Sequence, residues 1–298
     1  MSAKSLLLSV VVLGSVGSCT TVSDAQPNDL DDVQAFARDC KPWDDWRKPS
    51  PVFQVHGNTY YVGSCGITAL VVLGSEQAIL FDTAEVEFAP TLQSNLARVG
   101  VEPRKIGWIL GSHEHYDHVG GVAEFQRRSG AEVIIADEAK ISFTGQMDPR
   151  DPQFGMHDPL EQPDISKTVS DGDVLTLANI DFTVVATPGH TPGALTWQWT
   201  SCDGSDCKTI VYADSLSPVS RDDYKFSEHP EYIAEYRAGL ERLAKLECDI
   251  LLTPHPSASF MQQRASTGSL VGGMSCKNYS NRVSQRLDAR LKAEANIE

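Results

Sequence analysis

Short apolar runs recur along the chain and predict buried β-strands. The first four, at residues 52–55, 59–62, 67–73 and 78–82, are separated by Gly-containing turns, a pattern typical of a β-meander. Later runs at 106–110 and 133–136 alternate with helical patterns at 90–99 and 122–128. This β-α-β-α alternation predicts an α/β fold.

A second set of strands is predicted in the C-terminal half. Residues 174–177 and 181–186 form one hairpin pattern, 194–199 and 209–213 form another, and a strand at 249–253 follows a helix at 230–247 with one apolar face. A charged helix is predicted at 281–295. Residues 141–168 lack periodicity and carry four prolines, so they predict a long surface loop of the kind that often covers a site. We interpret His157 in this loop as a surface residue.

The beginning of the chain has the pattern of a signal peptide. Lys4 precedes an apolar run at residues 6–16, which is too short to span a bilayer. Residues 16–19 resemble a lipobox, which predicts a signal peptide at 1–18 and a lipidated Cys19, whereas cleavage after Ala25 is the alternative. Either site predicts export to the periplasm, and lipidation would add an outer-membrane anchor. Residues 19–45 are polar and predict a tether, so the folded domain is expected at 46–298.

Composition and charge narrow the range of possible functions and domain organisations. The chain has 298 residues, 41% of them hydrophobic, which suits one large α/β domain or two tightly joined halves. Its net charge of -15 opposes binding to nucleic acid. Without Cys19, six of the seven cysteines remain, an even number that an exported protein can hold as disulfides. Cys202 and Cys207 bracket a tight turn and are natural partners, whereas spacing alone does not pair the other four.

Three histidines and an aspartate lie within six positions directly after the apolar run at 106–110. Side chains two residues apart in extended backbone point the same way, which groups His113, His115 and Asp117, whereas His118 points elsewhere. A catalytic zinc ion uses three protein ligands and keeps one position open. Four ligands aimed in two directions therefore predict two metal ions.

Two further histidines follow predicted strands. His190 lies between two Pro-Gly steps and His255 between two prolines, which fix both turns rigidly. Ligands of α/β sheets collect outside the carboxyl ends of strands, so histidines at three strand ends predict one cluster. Asp82, at the end of the strand at 78–82, has two interpretations: a carboxylate that orients a ligand, or a cap for the segment that follows.

The motif H-x-H-x-D-H at 113–118 resembles the metallo-β-lactamase superfamily, and the segments at 187–197, 212–217 and 248–256 resemble its B3 subclass of zinc β-lactamases. The resemblance extends from about residue 46 to residue 276. It implies a four-layer αβ/βα sandwich with two bound zinc ions. It places one zinc on His113, His115 and His190, and the other on Asp117, His118 and His255.

The resemblance also implies a function: hydrolysis of the β-lactam amide bond of penicillins, cephalosporins and carbapenems by a hydroxide held between the zinc ions, which confers antibiotic resistance. Asp117 would orient this hydroxide. Ser215 and Ser217 would bind the substrate carboxylate, although they also suit a plain strand end. A disulfide between Cys248 and Cys276 is implied, which leaves Cys40 with Cys65. We expect a monomer that acts on a small molecule.

Three alternatives remain open. Many hydrolases of the superfamily bridge their metals with an aspartate, so a bridging Asp214 would favour a lactonase or a glyoxalase-II-like thioesterase. A surface lipoprotein that holds zinc structurally is a second alternative. Ser205 and Lys208 match the S-x-x-K pattern of serine β-lactamases, but they lie in a turn between two cysteines and lack the companion motifs of that class.

Overall fold

A computed structural model of the chain describes residues 30–296. It contains two β-sheets, the first with seven strands in the order of the sequence. Strands β1 to β4 pair antiparallel, as tight turns allow, and β4 to β7 pair parallel, as their longer connections require. The strands are β1 Phe53–His56, β2 Thr59–Tyr61, β3 Leu70–Leu73, β4 Ala78–Phe81, β5 Ile106–Leu110, β6 Glu132–Ala136 and β7 Ile165–Val169.

The second sheet has five strands in the order β12-β11-β10-β9-β8. Ala178 and Asn179 form the two-residue turn between β8 and β9, both with positive φ (49° and 66°), as a turn that matches the strand twist requires. Strands β8 to β11 form three antiparallel pairs, and β12 joins β11 parallel. The strands are β8 Val174–Leu177, β9 Ile180–Ala186, β10 Leu195–Asp203, β11 Asp206–Tyr212 and β12 Ile250–Leu252.

Helices cover the outer face of each sheet. The α-helices are α1 Val33–Asp39, α2 Ala89–Arg98, α3 Tyr116–Val119, α4 Val122–Ser129, α5 Pro230–Ala244, α6 Met261–Ala265 and α7 Cys276–Ala295. Leu92 of α2 and Phe125 of α4 are buried in the core cluster that contains the first sheet. Helices α5 and α7 pack on each other and on the second sheet, where Leu240 and Val283 share a cluster with Val211 and Leu251.

Aromatic side chains join the inner faces of the two sheets. The ring of Phe81 on β4 stacks on Trp199 of β10 with centroids 5.1 Å apart, and it also contacts Trp197 and Phe182. Burying such rings contributes much of the stability of a core. The order of layers is therefore helix, sheet, sheet, helix, which confirms the expected αβ/βα sandwich.

The folded domain begins before residue 46, which corrects the predicted boundary of the tether. Asp32 caps α1 by accepting a hydrogen bond from the N–H of Ala35 at 2.7 Å. Phe36 of this helix is fully buried against Phe53 and Tyr61, with ring centroids 5.8 and 5.1 Å away. A helix of seven residues that buries one large side chain is too short to show a helical period of apolar residues. The sequence therefore predicted a tether where the structure has a helix.

The predicted loop at 141–168 also needs correction, because its last residues enter β7 at the edge of the first sheet. The strand was not predicted because only Val169 in it is buried, whereas its other residues are polar or half-exposed. The signal peptide at 1–18, Cys19 and Ala25 lie outside the described residues. Within residues 30–296, no helix has the length and apolar character needed to cross a membrane.

The six remaining cysteines lie in pairs. Cys202 and Cys207 are directly opposite each other on β10 and β11, across a two-residue turn. The other pairs are Cys40 with Cys65 and Cys248 with Cys276. The first pairing is the one that the tight turn predicted, and the other two are those that the resemblance implied.

Candidate metal centre

Loops from both sheets form one site at the carboxyl ends of their strands. The loop after β5 and the short helix α3 carry His113, His115, Asp117 and His118, whereas His190 follows β9 and His255 follows β12. All but His255 are buried, and His255 is half-buried. The predicted convergence of three strand ends is therefore confirmed.

One group of ligand atoms comes from His113, His115 and His190, whose nitrogen atoms lie within 4.8 Å of one another. Their ring centroids are 4.8 to 4.9 Å apart, and the rings stand nearly perpendicular to each other. Rings in this arrangement can aim one nitrogen each at a common point. Three imidazoles with an open fourth position are a ligand set that zinc uses in catalytic sites.

A second group comes from Asp117, His118 and His255. Asp117 Oδ2 lies 3.0 Å from His118 Nε2 and 3.3 Å from His255 Nε2, and the two nitrogens are 3.3 Å apart. Tetrahedral zinc with nitrogen and oxygen ligands at about 2.0–2.1 Å has ligand atoms separated by about 3.3 Å. The three atoms therefore match one face of a zinc tetrahedron. His113 also lies within 4.8 Å of ligand atoms of Asp117 and His118, so the groups adjoin.

Each histidine has an acceptor near its other ring nitrogen. This arrangement fixes the tautomer and the orientation of a ligand imidazole. Four of the five histidines make a hydrogen bond through that nitrogen: His113 Nδ1 with the Ser112 hydroxyl at 3.2 Å, His115 Nε2 with Asp151 Oδ2 at 2.9 Å, His190 Nδ1 with the Ser217 carbonyl at 2.9 Å, and His255 Nδ1 with the Gly66 carbonyl at 3.2 Å. Asp214 Oδ1 lies 2.8 Å from His113 Nδ1 and Asp82 Oδ2 lies 3.6 Å from His118 Nδ1, both without hydrogen-bond geometry.

The electrostatics favour the metal-binding protonation state of His113, His190 and Asp117. For His115 and His118, burial lowers the pKa but neighbouring carboxylates outweigh it, so that the pKa of His115 is raised and that of His118 rises to about 10. Burial lowers the pKa of His113 and His190 well below the ordinary value, so both are neutral at pH 7. Burial raises the pKa of Asp117, but the adjacent His118 and His255 outweigh it and hold that pKa well below its usual range. His113 Nε2 is buried without a hydrogen-bond partner among residues 30–296. A bound cation would satisfy this atom, so the residues present fit a metal ion.

The position of Asp82 favours the first of its two interpretations, because its carboxylate faces His118 Nδ1 at 3.6 Å, a distance longer than a hydrogen bond. Its Oδ1 accepts a hydrogen bond from the N–H of Ser112 at 2.7 Å, and its Oδ2 accepts from the Ser112 hydroxyl at 2.7 Å and from Tyr212 at 2.6 Å. These donors hold the fully buried carboxylate toward His118. The bonds also tie the metal-binding loop to strand β11 of the other sheet.

Asp214 is buried behind His113 rather than between the ligand groups. Among the described residues, neither group of closely spaced ligand atoms includes it. Its Oδ2 accepts from the N–H of Leu216 at 2.8 Å, and burial raises its pKa. Ser215 is fully buried, whereas Ser217 is 8% exposed at the edge of the site. The substrate-binding role of these two serines stays a prediction.

Glu114 is a functional position that the sequence analysis missed. Its carboxylate accepts a hydrogen bond from the Thr191 hydroxyl at 2.7 Å and from the N–H of Gly193 at 2.8 Å. It therefore joins the loop of His113 and His115 to the loop of His190. Burial raises its pKa to about 7. Its place inside the motif was visible in the sequence, but its partners come from 77 and 79 residues away.

Other residues around the site were also missed. Asp151, from the predicted loop at 141–168, reaches His115, and the half-buried His157 has its ring centroid 5.9 Å from that of His115. Trp43 and Trp46 stand at 6.1 and 5.9 Å from the His255 ring, and both are exposed. Trp43 was assigned to the tether and Trp46 to the first position of the folded domain, and no sequence signal connected either with the site.

Comparison with known proteins agrees with this geometry. The model of the metallo-beta-lactamase superfamily matches residues 62–255. The structure of MIM-2 metallo-beta-lactamase is similar, with 46% identity, a TM-score of 0.83, and coverage of 88% of this chain and 98% of that chain. MEM-A1, a subclass B3 metallo-beta-lactamase from a soil metagenome, shares 33% identity with a TM-score of 0.81, and the match covers 85% of this chain and 100% of that chain.

Curated relatives of another type match a shorter segment. The hydroxyacylglutathione hydrolase of Rhodospirillum rubrum is 29% identical over 112 residues, which are 36% of this chain and 36% of that protein. Matches to other hydroxyacylglutathione hydrolases cover 26% to 46% of their lengths. This chain therefore spans less than half the length of these relatives.

Proposed function

The chain belongs to the metallo-beta-lactamase superfamily, and on that premise we propose that it hydrolyses the amide bond of β-lactam antibiotics with two zinc ions. Penicillins, cephalosporins and carbapenems are the substrate class, and resistance to them is the biological consequence. The proposal extends the resemblance found in the sequence. It also draws on the similarity to MIM-2 and MEM-A1, whose names identify them as metallo-beta-lactamases.

One observation carries the proposal: two adjoining sets of three ligand atoms, one of three histidines and one of Asp117, His118 and His255. Two cations side by side activate a water molecule at neutral pH and polarise a carbonyl oxygen, which is the chemistry that amide hydrolysis needs. Asp117, ionised and aimed into the site, accepts a hydrogen bond from the attacking water and so orients it. Ser217, at the edge, binds the substrate carboxylate.

A thioesterase is the second candidate, because the curated relatives include hydroxyacylglutathione hydrolases. The position of Asp214 argues against it. A carboxylate that bridges two metals must share the space of both ligand groups, whereas Asp214 lies beside the outer nitrogen of His113. A lactonase needs the same bridge and is disfavoured for the same reason.

Hydrolysis of a carbapenem and a penicillin, before and after treatment with EDTA, tests the proposal. We expect turnover that is lost with the chelator and returns with zinc, and no comparable hydrolysis of S-lactoylglutathione. His190→Ala should abolish the activity, whereas His229→Ala, which removes an exposed histidine, should not. No β-lactam turnover at micromolar zinc, or full activity of His190→Ala, would contradict the assignment.

We also propose that the protein is exported to the periplasm and acts as a monomer, with Cys19 as a lipidated N-terminus. The apolar run at 6–16 and the even number of remaining cysteines support export. Mass spectrometry of the mature protein tests the anchor, because a chain that begins at Gln26 would refute lipidation. Sedimentation of the purified domain tests the oligomeric state.

A further inference from the structure

The connection between β6 and β7 bends back to the metal centre through a braced turn at residues 148–151. The N–H of Asp151 donates to the Asp148 carbonyl at 3.0 Å. Arg150 braces this turn, since its Nη2 donates to the Asp148 carboxylate at 2.7 Å and its Nη1 to Glu138 at 2.5 Å. The Pro152 carbonyl accepts from the N–H of Arg221 at 3.0 Å. The backbone of the turn is therefore held on both sides.

The braced turn fixes the Asp151 carboxylate between two donors. Its Oδ1 accepts from the N–H of Gln153 at 2.7 Å, and its Oδ2 lies 2.9 Å from His115 Nε2. The side chains of Asp151 and His115 are only 11% and 7% exposed, so little water competes for this bond. A buried hydrogen bond to an ionised acceptor is about twice as strong as one between neutral groups.

This contact decides which nitrogen of His115 is free. When Nε2 carries the proton and donates to Asp151, Nδ1 keeps its lone pair and is the atom available to the group with His113 and His190. The Nδ1 atoms of His113 and His190 are engaged instead, by the Ser112 hydroxyl and the Ser217 carbonyl, so His115 is the member of that group that must bind through Nδ1. Without Asp151 the ring can adopt the other tautomer or turn over.

We propose that Asp151 is a positioning residue, which holds His115 in its metal-binding tautomer and so makes zinc retention depend on the loop at 148–153. This inference rests on the proposed function in so far as that function places zinc on His115. Asp148, Asp151 and Gln153 of this loop line the pocket beside His115, together with His157. A ligand that displaces the loop would therefore weaken zinc binding, and zinc in turn would hold the loop in place.

Zinc affinity, measured by competition with a chromophoric chelator, tests the proposal without any β-lactam. The variants are Asp151→Ala, Asp151→Asn and the matched control Asp158→Ala, an exposed carboxylate of the same connection. We expect Asp151→Ala to weaken binding of one zinc about 10- to 100-fold. Asp151→Asn, which still offers an oxygen acceptor, should lose less, and Asp158→Ala should bind zinc as the unmodified protein does.

Arg150→Ala separates positioning from general loosening of the loop, because it releases the brace but retains the Asp151 carboxylate as an acceptor for His115. Nitrogen-15 spectra of histidine-labelled apoprotein report the His115 tautomer directly, and only Asp151→Ala should shift it from the Nε2–H form. An affinity of Asp151→Ala within twofold of the unmodified protein would overturn the proposal, as would an equal loss in Arg150→Ala with no tautomer shift. If Asp151→Ala weakens zinc binding but the unmodified protein hydrolyses no β-lactam, the positioning role of Asp151 stands and only the substrate assignment is refuted.

Discussion

Replacing Gly189 with alanine tests whether backbone packing behind His190 shapes the metal centre. Gly189 has φ of +146°, a conformation that is essentially restricted to glycine. A Cβ atom built there would lie 2.4 to 2.6 Å from three ring atoms of Tyr236. That ring is fully buried, and its hydroxyl donates to the Leu216 carbonyl, so it has no room to turn aside.

The expected cost has two parts. The strained backbone contributes about 1–3 kcal/mol. Forcing a methyl group against a fixed ring contributes about 1–3 kcal/mol more. Gly189→Ala should therefore lower the free energy of unfolding by about 4 kcal/mol, which for a domain of this size lowers Tm by about 8 °C. The strain also displaces His190, so the affinity for zinc should fall.

Gly130→Ala is the matched control, because Gly130 has φ of +73° and a Cβ there would meet nothing within 4 Å. It should cost only about 1–2 kcal/mol for the left-handed backbone. Urea unfolding of both apoproteins measures the difference, and chelator competition measures zinc affinity. Equal destabilisation by the two substitutions would refute the packing argument, as would unchanged zinc binding in Gly189→Ala.

Three further predictions concern stability. Glu114→Ala removes the shared acceptor of two buried donors and should cost about 2–4 kcal/mol in urea unfolding. Burial raises the pKa of Asp44, but hydrogen bonds from backbone N–H groups and from Lys48 outweigh it and lower the pKa to about 2. Since the folded pKa is the lower one, the stabilisation is full above about pH 4 and is lost as the pH falls toward 2. Asp44→Asn should remove this dependence, worth about 1 kcal/mol after solvent screening. Replacing both Cys202 and Cys207 with serine should cost about 2 kcal/mol, because the pair closes a separation of 5 residues, whereas each of the other two pairs should cost about 3.5 kcal/mol at separations of 25 and 28.

Each of these predictions has a contradicting outcome. Glu124→Ala removes a carboxylate that is 23% exposed and paired with two arginines, so a cost equal to that of Glu114→Ala would disprove the link between the two loops. Urea midpoints of Asp44→Asn that fall between pH 4 and 2 as steeply as those of the unmodified protein would disprove the role of Asp44. Equal losses from all three cysteine pairs would contradict the loop-length argument.

The elements that could be predicted from sequence are those with dense local patterns. Strands β3, β4 and β5 are continuous apolar runs, and the histidines after three strands mark the carboxyl ends where ligands collect. Spacing within 113–118 was wrong about Asp117, which it placed with His113 and His115, because helix α3 begins at Tyr116 and turns Asp117 toward His118. The two ligand groups that the resemblance implied are present. Local order was sufficient to identify the strands and the ligands that follow them, because ligand and scaffold are adjacent in the chain.

Long-range packing determined the features that sequence analysis missed. Helix α1 exists because Phe36 fits between Phe53 and Tyr61, and β7 exists because β6 offers it an edge. Neither segment has an apolar pattern long enough to predict a helix or a strand from the sequence. Asp151 reaches His115 from 36 residues away through a braced turn that no spacing rule describes.

The sequence by itself determined which residues can bind metal and on which strand ends they lie, because side-chain chemistry and hydrophobic period are local properties. The tertiary structure alone decided which nitrogen of each imidazole faces the cluster and that Asp214 lies behind His113. Those outcomes depend on hydrogen bonds between segments far apart in the chain, and such partners are brought together only when the two sheets pack face to face.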